Sequence, residues 1–172
     1  MRIRIKGLSE TIQHLEEYQK RIEDKQHTLL EKLAEIGIDT ASIRFSQAQY
    51  DGVKDVDVPK DPEWVSDNTL QISAVGTTVS FIEFGTGVHY TEVHPKAGEF
   101  GAVRGGYGYG LGKLDSWRYQ GEPGTNGEVI TEGKHAGEVL THGNPPARAM
   151  YEAGKEMRAK IQEIAKEVYG HD

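Results

Sequence analysis

Along the first fifty positions Leu8, Ile12, Leu15, Gln19, Ile22, Gln26, Leu29, Leu33, Ile36, Thr40 and Ile43 follow one another at alternating steps of four and three. One such residue per turn makes a single seam, so the spacing predicts a long helix. A short strand over Arg2 to Lys6 precedes it, Ser9 is placed to cap its first free amides, and Glu10 suits the positive end of the dipole. The two glutamines weaken the seam as an isolated coiled coil. Gly37 predicts a kink or an end, because glycine costs about 1 kcal/mol relative to alanine inside a helix. The seam suits packing on the chain's own sheet, with a partner helix as the alternative.

The last thirty positions repeat the pattern. Ala147, Met150, Gly154, Met157, Ile161, Ile164 and Val168 again step by three and four. Asn144 is a suitable cap, and Pro145 and Pro146 fit a first turn that needs no amide donors. Between the two helices the pattern changes to period two. Leu70, Ile72 and Ala74 alternate within Thr69 to Val75, and Thr78 to Phe84 is rich in β-formers. Gly76-Thr77 fits the two-residue turn of a hairpin. In the second of these strands Val79 and Phe81 face one way and Ile82 and Phe84 the other, which implies a strand buried on both faces. Weaker strands fall around Val53 to Val58 and Glu138 to Thr141. The expectation is an α+β domain over residues 1–172: an N-terminal and a C-terminal helix packed on a mostly antiparallel sheet of three to five strands.

From His89 to Gly137 no period survives. Structureless loops longer than about 15 residues are uncommon in compact domains and are usually functional or disordered. Here Tyr107, Tyr109 and Leu111 alternate with glycine in GAVRGGYGYGLGK, which puts large side chains on a flexible backbone. We expect residues 96–137 to be mobile in a free subunit and to order on a partner.

Composition sharpens this division. The 172 residues include 21 glycines, 16 of them between Gly76 and Gly143, and no cysteine. Residues 1–50 carry 8 basic and 8 acidic groups and residues 144–172 carry 5 of each, so the net charge of −7 lies entirely in the middle. A chain so rich in glycine has fewer large side chains with which to build a core, and completing that core against neighbouring subunits becomes plausible. The absent cysteine excludes disulfides, thiolate metal sites and thiol chemistry. No run approaches the roughly 20 apolar residues of a membrane span, and MRIRIKGLSE lacks the apolar core of a signal peptide, so synthesis in the cytoplasm is expected. An isoelectric point near 5.5 opposes a main role in gripping nucleic acid.

Enzymatic patterns fare poorly. Gly108, Gly110 and Gly112 before Lys113 miss the phosphate-loop spacing, and Phe84-Gly85-Thr86-Gly87 lacks the third glycine of a dinucleotide site. His89, His94, His135 and His142, with Glu92, are candidate metal ligands, but no pair has helical metal-site spacing. The pairs Asp55 with Asp57 and Asp61 with Glu63 read as solvated edge charges rather than general acid and base. Arg104, Lys113 and Arg118 with Tyr107, Tyr109 and Trp117 would make a stacking surface for nucleic acid, which their acidic neighbours oppose. No catalytic residue, metal or cofactor is expected.

The segments SFIEFGTGVHYTEVHPKAGEFG, LDSWRYQGEPGTNGE and THGNPPARAMYEAGKEM, in that order after a long helix, resemble the tail-component family of long-tailed bacteriophages. Its members are the minor tail, tail completion and head-tail joining proteins, with lambda minor tail protein Z as a distant relative. Family members have a short link between the FGTG segment and the double proline, where this chain carries a long insertion. The resemblance implies a structural virion protein without catalysis. It would form a ring, expected to be a hexamer, at the head-proximal end of the tail, touching the tail tube protein and the head-tail connector. Expected interface residues are Phe81, Phe84, Gly85, Thr86, Gly87, Tyr107, Tyr109, Trp117, Pro145, Pro146 and Arg148. DNA would be non-specific cargo, with Asp55, Asp57 and Asp61 facing its channel, where like charge prevents sticking. A metal- or carboxylate-dependent phage hydrolase and a soluble protein-binding adaptor are the alternatives.

Overall fold

The computed structural model describes residues 7–106 and 111–170, so the strand expected over Arg2 to Lys6 lies outside the described residues. Helix α1 (Leu8–Gln47) is followed by strands β1 (Glu63–Ser66) and β2 (Thr69–Gln71), then by the short helix α2 (Val79–Phe84). Strands β3 (Trp117–Tyr119), β4 (Glu128–Val129) and β5 (Val139–Thr141) lead to helix α3 (Ala149–Tyr169). The protein is α+β, as the sequence pattern implies. Its strands form two small antiparallel sheets, β1-β2 and β3-β5-β4, and the long helices pack chiefly on each other rather than on a sheet.

Lys25 lies over the ring of Tyr169, Lys32 pairs with Glu167, and Gly37 meets Met157. Residue numbers thus fall along α3 as they rise along α1, which makes the pair antiparallel. The buried stripe of α1 is Ala34, Gly37, Ile38, Ala41 and Phe45. Leu33, Ile36 and Thr40 of the expected seam flank it, half-buried, while Ile43 is exposed. The stripe sits one position away because the closest approach is made by small residues. Gly37 neither kinks nor ends α1: a Cβ there would come within 2.7 Å of Ile72 Cδ1 and Met157 Sδ, so glycine serves close approach. Ser9 lies inside the helix, and Gly7 in the left-handed conformation (φ 86°) occupies the cap position.

Thr78 to Phe84 is the main correction: α2 replaces the expected strand, and with it the hairpin at Gly76-Thr77 and the strand apolar on both faces. A run of seven residues, five of them apolar or β-branched, fits either period, and tertiary contacts decide. The Thr78 hydroxyl bonds both the amide and the carbonyl of Asp55, at 2.9 Å each, and the Thr78 carbonyl accepts the Ile82 amide to start a helical turn. That turn buries Ile82 and Glu83 together. The expected strand around Val53 to Val58 is reduced to one bridge, Asp57 to Val75, whereas β5 falls inside the expected Glu138 to Thr141. The loop at 89–137 also contains β3 and β4, which pair with β5 but are too short to show a period.

The core joins Ala41 and Phe45 of α1, Ile82 of α2, and Ala149 and Ala153 of α3. Six of the eleven buried apolar residues among those described are alanine, in keeping with a chain that substitutes small residues for bulk. Close-packed alanines leave no room for added methylenes, so Ala153→Leu is expected to lower unfolding free energy by about 1–3 kcal/mol in urea titration. Ile161, expected on the buried seam but 42% exposed, should tolerate Ile161→Gln within about 0.5 kcal/mol.

Candidate functional site

The FGTG and NPPAR segments, 58 residues apart, meet in one junction. Thr86 and Asn144 form an antiparallel bridge in which the Thr86 amide bonds the Asn144 carbonyl at 2.9 Å, and the Asn144 amide bonds the Thr86 hydroxyl at 3.1 Å. The Thr86 hydroxyl in turn donates to Asn144 Oδ1. Asn144 Nδ2 donates to the carbonyls of Phe81 and Pro145, so Asn144 is not the helix cap its type suggested. Gly143 (φ 77°) lies against the Thr86 carbonyl, where any Cβ would clash. Pro145 and Pro146 stay outside the helix, consistent with the bias of residues before proline away from helical geometry. The chain then runs along α2, with the Ala147 amide bonding the Ile82 carbonyl at 2.9 Å and the Arg148 amide the Glu83 carbonyl at 3.2 Å.

α3 therefore begins at Ala149, and its cap residue, Arg148, is left-handed (φ 55°) and offers no side-chain cap. Glu83 supplies the missing acceptor from outside the helix. Its Oε2 accepts the Met150 amide at 3.0 Å and its Oε1 the Tyr151 amide at 3.1 Å, the second and third amides that an ordinary cap serves. Oε1 also bonds His94 Nε2 at 3.1 Å. His94 Nδ1 accepts the Lys96 amide, so the ring proton sits on Nε2 and is donated to Glu83. The pair is buried, and Phe84 and Tyr151 meet the imidazole edge-on. Arg148 Nε is buried without a hydrogen-bond partner.

Of the expected interface residues, Phe81, Thr86, Gly87 and Trp117 line one cleft of about 320 Å³, together with Tyr50, Asp51, Tyr119, Thr141 and Asn144. Trp117 rests against Gly87, where a Cβ would meet its ring at 3.0 Å. Burial, reinforced by Asp51, pushes the phenols of Tyr50 and Tyr119 above their ordinary value. Asp51, the acid among the lining residues, accepts the Asn126 amide and the Thr141 hydroxyl on its two oxygens. Neutral phenols and an occupied carboxylate suit the cleft to holding an apolar or aromatic group rather than to moving a proton. Phe84 lies apart, packed on His94 and Phe100. Gly85, Pro146 and Arg148 belong to the junction, and Tyr107 and Tyr109 fall outside the described residues.

The histidines separate. His94 serves Glu83, His135 pairs with Glu138 at 3.1 Å, and His89 and His142 come together with Asp115 at the cleft rim. Asp115 was not among the sequence candidates; it lies 26 residues from His89 and 27 from His142, so no local spacing marks it. Glu83 escaped notice for the same reason, its partners being 11 and 67 residues away.

The three acids expected at a DNA channel have different surroundings. Asp55 accepts the Thr77 hydroxyl and amide, which hold its carboxyl below the usual range. Asp57 pairs through its backbone with Val75. Asp61 lines a groove of about 650 Å³ with Glu31, Glu35, Asp39 and Trp64.

No family model matches the chain, and no curated protein or solved structure matches it at a significant level.

Removing Glu83 strands two helix amides and a buried imidazole proton. Glu83→Ala is expected to cost about 3 kcal/mol in urea unfolding, while Glu152→Gln, in the first turn of α3, changes stability by about 0.5 kcal/mol or less. For Asp55 the folded pKa lies below the unfolded one. Its contribution is thus complete above the unfolded carboxyl value, near ~3.9, and disappears as pH falls through the folded value. Thermal melts of the protein and of Asp55→Asn should differ at neutral pH and converge as the pH falls below the unfolded carboxyl value of ~3.9.

Proposed function

We propose that this chain is a structural virion protein of a long-tailed phage, which completes the tail and joins it to the head connector as a ring of identical subunits. The observation that carries this reading is the junction itself. FGTG and NPPAR are the segments on which the resemblance rests, and they are hydrogen-bonded to each other across 58 residues. Two motifs that are individually weak thus form one structural unit.

The exposed start of α1 supports the ring. Leu8, Ile12, Leu15 and Tyr18 are 47% to 62% exposed, on a stretch that extends beyond the end of α3 opposite Lys25. Residues 8–21 rise about 21 Å at 1.5 Å each. Residues 8–21 carry three acidic and two basic groups, so an apolar row there meets little charge repulsion from a second copy of the chain, which it is suited to receive. In this reading the subunit is made in the host cytoplasm and resides at the head-proximal end of the tail. It meets the tail tube protein and the connector there, with DNA passing as non-specific cargo and Asp55, Asp57 and Asp61 towards the channel.

A phage with an early stop codon in this gene is expected to accumulate filled heads and unjoined tails; intact virions would contradict the reading. In the purified protein, light scattering and negative-stain images should give a concentration-dependent ring. Ile12→Glu with Leu15→Glu should abolish the ring at an unchanged subunit melting temperature.

A further inference from the structure

We propose that His89, Asp115 and His142 bind one divalent transition-metal ion, which clips both ends of the segment 90–114 to the end of β5. A ligand atom from each residue lies within 4.8 Å of the other two. His89 Nδ1 is 3.1 Å from Asp115 Oδ1, and His142 Nδ1 is 3.6 Å from Asp115 Oδ2. Donors at about 2.1 Å from one ion, in tetrahedral or octahedral arrangement, stand about 3.0–3.4 Å apart. The two separations, 3.1 and 3.6 Å, are already close to that range. The imidazoles lie beside each other with centroids 4.5 Å apart, on the same carboxylate.

Two imidazole nitrogens and one carboxylate oxygen select zinc, iron(II), cobalt(II) or nickel(II) over calcium and magnesium, which prefer oxygen. Three protein donors leave at least one coordination position to water. All three side chains are 44% to 67% exposed, so an ion reaches them without unfolding. His142 Nδ1 also lies 3.1 Å from the Asp115 carbonyl; coordination through Nδ1 exchanges that hydrogen bond for a metal bond and shifts the ring proton to Nε2.

Placement gives the ion its role. His89 stands two residues after Gly87, Asp115 two before Trp117, and His142 next to Gly143, and Gly87, Trp117 and Gly143 all line the cleft. The ion thus sits on the cleft rim and ties the beginning and end of the glycine-rich segment to the body, shortening the loop that has to be ordered. This inference concerns the subunit alone and holds whether or not rings form.

The full-length, untagged protein, stripped with EDTA and dialysed, would be titrated calorimetrically with zinc chloride and spectroscopically with cobalt chloride. One saturating equivalent is expected, with cobalt absorption bands of nitrogen-oxygen coordination and slower trypsin cleavage at Lys96, Arg104 and Lys113. His142→Ala and Asp115→Ala should each weaken binding at least about tenfold while leaving the EDTA melting temperature unchanged. His89→Gln provides a third variant if one of these fails to fold, and His135→Ala should bind as the parent does. Absence of saturable binding, or equal binding by the parent and the three site variants, overturns the site. Stoichiometric binding that leaves cleavage at those three residues unchanged overturns the clip.

Discussion

The carboxylate of Glu83 is where three parts of the chain become one body. A buried acid costs several kcal/mol unless its oxygens are fully engaged, and here Met150, Tyr151 and His94 engage them. The first turn of α3, the helical turn of α2 and the loop that carries His94 therefore have to arrive together. Arg148 accepts a left-handed backbone at this point, a conformation that costs non-glycine residues of order 1 kcal/mol or more. In the native chain that strain is offset by the amide bonds it permits, including Arg148 to Glu83 and Ala147 to Ile82.

From this junction the features of functional interest radiate. Thr86 and Asn144 contribute one wall of the aromatic cleft, and Gly87 and Gly143 bring Trp117 and the histidine cluster to its rim. α1 packs along α3, and its first turns, residues 8–21, run beyond the end of α3 with every residue exposed among the described residues. The acidic middle of the chain is not one surface: Asp55 stabilises the turn before α2, whereas Asp61 lines a groove beside α1. In the proposed ring, association would cover the projecting apolar helix and add to the burial that an alanine-rich core supplies.

Helical periodicity was readable in the sequence because it persists over many turns: α1 and α3 lie where the three-four spacing places them. The exact stripe was not, since Ala34, Gly37 and Ala41 carry little apolar signal and are buried through their smallness. α2 was misread because six residues support either period, and its choice is made by Asp55 and by the amides of α3. Asn144 has the residue type of a cap, yet Thr86 holds it across 58 residues. The FGTG and NPPAR segments were singled out by resemblance, but their mutual contact, Glu83 between them, and Asp115 beside two histidines depend on long-range folding that no local spacing encodes.

Native-state hydrogen exchange of individual amides tests most directly whether Glu83 organises the body. The structure predicts that Met150 and Tyr151, although in the first turn of a helix, exchange as slowly as Ile82 and Ala147, because opening them requires disrupting the core. Fast exchange of Met150 and Tyr151, as at a frayed helix end, with Ile82 still protected, would contradict it.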